Sequence, residues 1–321
     1  MEVGVASYDW PALDRSQVID PDVALDREWT LTSRAGCTAA GTALGACARS
    51  SHGTLMVTDP SGERRVLVAK MDEEIEILDR DGGERIALAT NEYHDGTIHP
   101  GGHLHLESVR RDEDRVVWRW RVREITIEKS ISLLPRKAAT VVRYRVVDSP
   151  QPIRLRVTIF LANRTVNERT QGALDWRYGI ESRAYGIVAR AWPEAMPVGV
   201  FGWSAHHGHV SPGLFVQTDL WYWRFLHRND RADGYPYVED LFSPGLMAFD
   251  LQTGGEATIL ASGGAADPGH LQRMEVRLAH ELEAWTMKHQ PPDFTPPPWL
   301  AARPDHFDRA SASAVPAEAG R

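Results

Sequence analysis

Apolar and polar side chains alternate along most of the chain from about residue 54. Val116, Trp118, Trp120 and Val122 alternate with Val117, Arg119 and Arg121, and Ile153, Leu155, Val157 and Ile159 alternate with Arg154, Arg156 and Thr158. A period of two is what a strand needs when one face is buried and the other wet. Comparable stretches at 54–59, 64–70, 73–78, 103–109, 124–134, 138–147, 186–191, 198–204, 246–251 and 256–262 predict further strands. Turn formers separate them, among them Asp59-Pro60-Ser61-Gly62, Asp148-Ser149-Pro150 and Thr253-Gly254-Gly255. Many short strands with little helix between them predict an all-β fold, a large antiparallel two-sheet β-sandwich. One C-terminal helix is predicted. Asp267 caps it, Pro268 suits its first turn, and Leu271, Met274, Leu278, Leu282 and Trp285 form its apolar stripe. The prolines at 291–298 and the Ala/Ser-rich end then predict a linker and a disordered tail.

Composition narrows the class of function. With 321 residues, 42% of them hydrophobic, the chain has material for one large core. A net charge of −8 leaves no basic footprint for nucleic acid or an anionic membrane. The two cysteines, Cys37 and Cys47, form neither a disulfide framework nor a Cys-x-x-Cys metal pair, which points to a reducing cytoplasm. The N-terminus lacks the basic and apolar regions of a signal peptide, and no uncharged apolar run reaches the ~18 residues needed to cross a bilayer.

Three segments carry a recognisable pattern. The first reads Glu28-Trp29-x-Leu31-Thr32, Gly41-Thr42-x-x-Gly45 and Arg49-x-x-His52-Gly53. The second reads Thr90-Asn91-x-Tyr93, Gly96-x-Ile98-His99-Pro100-x-Gly102 and Leu106-Glu107-Ser108. Residues 237–245, Tyr-Val-Glu-Asp-Leu-Phe-Ser-Pro-Gly, complete the set. Order and spacing resemble the N-terminal domain of bacterial and archaeal glycogen-debranching enzymes of the amylo-α-1,6-glucosidase type, over roughly residues 27–265. The resemblance implies a supersandwich-like domain over 27–288, an N-terminal extension over 1–26 and a Pro/Ala-rich tail over 289–321. In that family a helical (α/α) barrel follows and hydrolyses the branch point, and nothing recognisable as that barrel follows here. The resulting expectation is a non-catalytic glucan- or partner-binding accessory module in glycogen metabolism, with no cofactor. Its expected partners are an α-glucan such as glycogen or a separate catalytic (α/α) barrel chain. A noncovalent subunit of a split enzyme and a degenerate structural remnant are the alternatives.

Candidate chemistry follows the same segments. Glycoside hydrolysis uses two carboxyl groups flanking one bond. Glu239-Asp240 is the acidic pair inside the pattern, but neighbours on a strand point to opposite faces, so a structural or contact role comes first and sugar binding second. Glu73-Glu74 reads as a solvated strand start. His99, His103, His105 and Glu107 invite a metal reading, with His103 and His105 on one face of a strand. The resemblance matches only His99 and Glu107 and calls for no metal, so none is expected. Arg49, His52 and Arg164 lie where the pattern concentrates polar groups near strand edges, and a guanidinium there can fork onto a sugar's hydroxyls or tie down a loop. Arg49, His52, His99, Arg164, Glu239 and Asp240 are expected to converge on one surface. The chain departs from the family at Ser33–Thr38, Ser50-Ser51 and Thr165–Asn167, where glycines and aromatics are lost. Trp221-Tyr222-Trp223 is the strongest local hint of carbohydrate, because an indole face stacks on the C–H face of a pyranose. Trp221 and Trp223 share one face of their predicted strand.

Overall fold

The computed structural model describes residues 12–78, 83–112 and 114–263. The helix predicted over 267–285 and the tail lie outside them. Two capped turns open the described chain, α1 (Arg15–Val18) and α2 (Pro21–Leu25), with Asp14 and Asp20 accepting from the first backbone N–H groups. Then come β1 (Glu28–Thr32), β2 (Thr38–Thr42), β3 (Gly53–Thr58), the long β4 (Arg64–Ile77), β5 (Glu84–Ala87), β6 (Thr90–Glu92) and β7 (Ile98–Gly101). A 3-10 turn over Gly102–His105 leads to β8 (Leu106–Arg111), β9 (Arg115–Val122), β10 (Ile125–Leu133), β11 (Ala139–Asp148) and β12 (Ile153–Thr165). After them run β13 (Gly179–Arg183), β14 (Gly186–Arg190), β15 (Val198–His206), β16 (His209–Pro212) and β17 (Leu214–Leu226). The short α3 (Arg228–Ala232), β18 (Val238–Leu251) and β19 (Glu256–Gly263) complete the described fold.

The strands form two large antiparallel sheets, as the alternation predicts. One runs β1-β2-β3-β4-β12-β18-β17, with β5 beside β4; the other runs β13-β14-β15-β19-β11-β10-β9-β8, with β16 beside β15. Their facing sides enclose the core, where Ile75, Trp118, Val142, Tyr144, Leu155 and Phe249 are each at most 2% exposed. Each such side chain contributes about 1.5–3 kcal/mol relative to an exposed one. Polar bonds tie the two sheets as well: Trp118 Nε1 donates to Ala43 O at 2.7 Å, and Thr140 Oγ1 to Thr54 O at 2.7 Å. Leu13, Val18, Ala24 and Leu25 also join this core, Leu13 through a bridge to Val109.

Three local expectations need correction. Residues 64–77 form one strand rather than two, because β12 pairs with it along nearly its whole length. His103 and His105 sit in the 3-10 turn ahead of β8, not on one face of a strand. Glu73 is 3% exposed rather than solvated. It points between the sheets, bonded to Lys129 of β10 and to the Tyr144 hydroxyl at 2.8 Å. A charge in the core is tolerated because it is paired and hydrogen-bonded.

Candidate functional site

At one end of the first sheet, bulges aim the polar side chains. The register of β12 shifts between Leu161 and Arg164, and Asn163 takes φ 55. Asparagine tolerates that left-handed conformation better than most residues, and the bulge turns Arg164 toward β18. The guanidinium forks onto Glu239, with Nη2 2.7 Å from Oε2 and Nε bonded to Oε1, while Nη1 donates to Ser50 O at 2.8 Å. Glu239 Oε1 also accepts from Thr170 N at 3.0 Å, and Oε2 lies 3.2 Å from His227 Nε2. Asp230, in α3, accepts from Ser50 N and Arg169 Nη2, both at 2.8 Å, and faces His227 Nδ1 at 3.7 Å.

Next to this buried group lies a second, more exposed one. Glu28 Oε1 accepts from Arg49 Nε and Asn229 Nδ2, each at 2.7 Å, and lies 3.6 Å from His52 Nε2. Arg49 Nη1 reaches Asp233 at 2.6 Å. His52 Nδ1 accepts from Ala48 N at 3.1 Å, which holds that ring nitrogen unprotonated.

The electrostatics follow from burial and pairing. Burial opposes charge on Glu239, but Arg164 and His227 outweigh it and hold the carboxyl well below its usual range. Asp230 is likewise disfavoured by burial, yet His227, the Ser50 N–H and Arg169 bring it down to about 2. His52 goes to about 3, chiefly because it is buried and then because His227 and Arg49 lie nearby. Burial pushes the Cys47 thiol up to about 11.

Of the sequence candidates, Arg49, His52, Arg164 and Glu239 meet in these contiguous groups. Arg164, His52 and Glu239 are only 5%, 4% and 1% exposed, so the groups face inward. Asp240 points the other way along β18, accepting from Gly172 N at 3.0 Å and Arg224 N at 2.9 Å. Glu239 and Asp240 together clamp residues 170–172, since Asp240 N also donates to Thr170 O. His99 lies exposed on β7, and Glu107 accepts from Arg119 Nε at 3.3 Å on the second sheet. Trp221 is 8% exposed, its Nε1 donating to Trp176 O at 2.8 Å. It belongs to an aromatic stack with Trp176 (5.1 Å between centroids) and Phe242 (5.3 Å), which ends at Trp223, 38% exposed and 6.0 Å from Trp221. Residues 170–172 pass so close that a Cβ on Gly172 would lie 2.6 Å from the Trp221 ring. His227, Asp230 and Arg169 escaped sequence reasoning, since a histidine before a short polar helix carries no signal of its partners.

The sequence profile of the family described as glycogen debranching enzyme N terminal matches residues 27–258. The chain belongs to that family. A search of curated proteins found no match. Among solved structures, the domain is similar to a polysaccharide lyase (10% identity, TM-score 0.34, 72% of this chain and 32% of that one). It is also similar to a bacterial glucoamylase complexed with acarbose (8% identity, TM-score 0.39, 88% and 37%). A third is the 4-alpha-glucanotransferase from Thermococcus litoralis (14% identity, TM-score 0.25, 62% and 28%). The chain thus spans about a third of each of these proteins. Such distant likenesses carry no argument about activity, and the debranching relationship rests on the family match. Among the described residues, no group of three or more His, Cys, Asp or Glu is arranged to hold a metal ion, and no helix is long and apolar enough to cross a membrane.

Proposed function

We propose that the domain is a non-catalytic, α-glucan-binding accessory module of a cytoplasmic debranching system. The observation that carries this reading is how Glu239 and Asp240 are employed. Arg164 neutralises the first, and both hold residues 170–172 by backbone hydrogen bonds. Neither is free to protonate or attack a glycosidic bond, a task that needs two carboxyl groups facing the same linkage. The clamped segment backs the Trp221–Trp223 stack, whose outer indole is half open to solvent and suited to stack on a pyranose. In this reading Arg164, Glu239, Asp240, Arg49 and His52 position the platform, Trp221 backs it, and exposed His99 and half-buried Glu107 supply outlying contacts.

A specific feature favours a second role, contact with a separate (α/α) barrel chain. The edge strand β17 exposes Leu214 (65%), Val216 (42%) and Leu220 (50%), with Asp219 the sole charge between 213 and 223. Edge strands normally carry charges that discourage pairing with another chain. The test is incubation of the purified protein with a branched limit dextrin, alongside cosedimentation with glycogen. Cosedimentation without glucose release is expected. Glucose release that a substitution within this chain abolishes would overturn the non-catalytic reading, and failure to cosediment would overturn the binding one.

A further inference from the structure

The Thr90-Asn91 motif plays no part in the groups described above. Asn91 is 3% exposed, and the side chain it meets, Lys70, is 4% exposed. The fold brings them together through a gap. β4 pairs with β3 through residues 64–68 and with β5 through 74–77. Between those partners, residues 88–91 close the side of the strand, Leu88 N and Ala89 N donating to Glu73 O at 2.9 and 3.2 Å. Lys70 Nζ there donates to Thr90 O at 3.2 Å and to Asn91 Oδ1. Asp72, two residues along the same strand and so on the same face, completes the arrangement. Its Oδ1 lies 2.8 Å from Lys70 Nζ, and its Oδ2 accepts from Asn91 Nδ2 at 2.6 Å. One carboxylate therefore touches both the amine and the amide nitrogen, while the amine faces the amide's carbonyl. Phe160 stands opposite Lys70 in the β12 register, and the low exposure of Lys70 and Asn91 keeps bulk water from both.

We propose that Lys70 and Asn91 join in an intramolecular isopeptide bond, with Asp72 carrying the protons. Lys70 Nζ gives a proton to Asp72 and attacks Cγ of Asn91 with the freed lone pair, and the carbonyl electrons move onto Oδ1. When the carbonyl re-forms, the Cγ–Nδ2 bond breaks. Asp72 passes to Nδ2 the two protons that Nζ loses in turn, so the nitrogen leaves as ammonium and Asp72 ends as it began. One C–N bond forms for the one that breaks, and nothing is oxidised or reduced. Burial of both reacting groups in fixed register supplies the proximity such an uncatalysed exchange lacks in water. A small cavity borders Lys70, Asp72 and Thr90 beside the reacting groups. The bond would tie β6 to β4, and with it Tyr93, which bridges to Phe225 on β17.

Intact-mass spectrometry of the full chain under denaturing conditions tests this directly. The expected mass lies below that of the sequence by one ammonia, and a tryptic map should contain one branched peptide joining the Lys70 and Asn91 segments. A mass equal to the sequence overturns the proposal. So does loss of ammonia with the two peptides separate, which marks a succinimide, or loss of water, which places a bond at a carboxylate such as Glu73. Asp72→Asn, checked for native circular dichroism, should return to the full sequence mass. Continued loss of ammonia in that variant would remove Asp72 from the proton-carrying role.

Discussion

Breaking either half of the Arg164–Glu239 pair should destabilise the domain severely, and breaking both should cost less than the sum. Both side chains are at least 95% buried, and each has further partners that outlive the pair. With Glu239→Leu, Arg164 keeps the Ser50 and Thr165 carbonyls but loses its countercharge. With Arg164→Met, Glu239 keeps the Thr170 N–H and the nearby His227 ring. An uncompensated buried charge of this kind costs about 3–5 kcal/mol. For a domain of roughly 250 residues each kcal/mol moves Tm by about 2–4 °C, so each single variant should melt about 6–20 °C lower. The double variant leaves no orphaned charge from the pair, and a coupling of about 2 kcal/mol is expected. Urea unfolding followed by tryptophan fluorescence and circular dichroism gives all four free energies. Single substitutions that each cost under about 1 kcal/mol, typical of an exposed pair, or costs that add without coupling, would refute the buried-pair argument.

Acid should act on the same region in two stages. Folded His52 resists the proton that the unfolded chain accepts near its ordinary 6.5, so the unfolded state binds more protons and stability falls as pH drops below that value. The slope approaches about 1.4 kcal/mol per pH unit, and His52→Asn should flatten it between pH 6.5 and about 5; an unchanged profile contradicts the assignment. Glu239 has a depressed folded value, so its contribution is present above its ordinary 4.5 and lost as pH falls below, a loss that Glu239→Gln should remove from the acid limb of a Tm–pH curve. Gly172→Ala places a methyl 2.6 Å from the Trp221 ring, and should lower Tm and alter the near-ultraviolet tryptophan spectrum; an unaltered spectrum would mean that the segment does not back the stack.

The sandwich was legible because alternation is a local property. β9, β10, β11 and β12 each repeat apolar-in, polar-out over enough residues to declare a face. Of β17 only Trp221–Trp223 was read as strand, since its register breaks twice, after Gln217 and after Tyr222, and Asp219 and Arg224 adopt positive φ. Bulges destroy the very period by which a strand is read. Glu73 was misread for a related reason. Nothing local distinguishes it from Glu74, and its burial depends on Lys129 and Tyr144, far away in sequence. The family motifs located Arg164, Glu239 and Asp240, but not the inward aim of the first two. That aim is set by Asn163 in the bulge and by His227 and Ser50, none of which announces its partner in sequence.

Native-gel mobility in glycogen, compared between the unaltered protein and Trp223→Ala, shows whether the domain binds glucan through the exposed indole. Trp223 is half exposed at the end of its stack, so its removal should leave Tm nearly unchanged while withdrawing the proposed sugar platform. Retardation of the unaltered protein by glycogen is expected, relieved in Trp223→Ala at equal fold integrity. Equal mobility of both proteins, with or without glycogen, would contradict it.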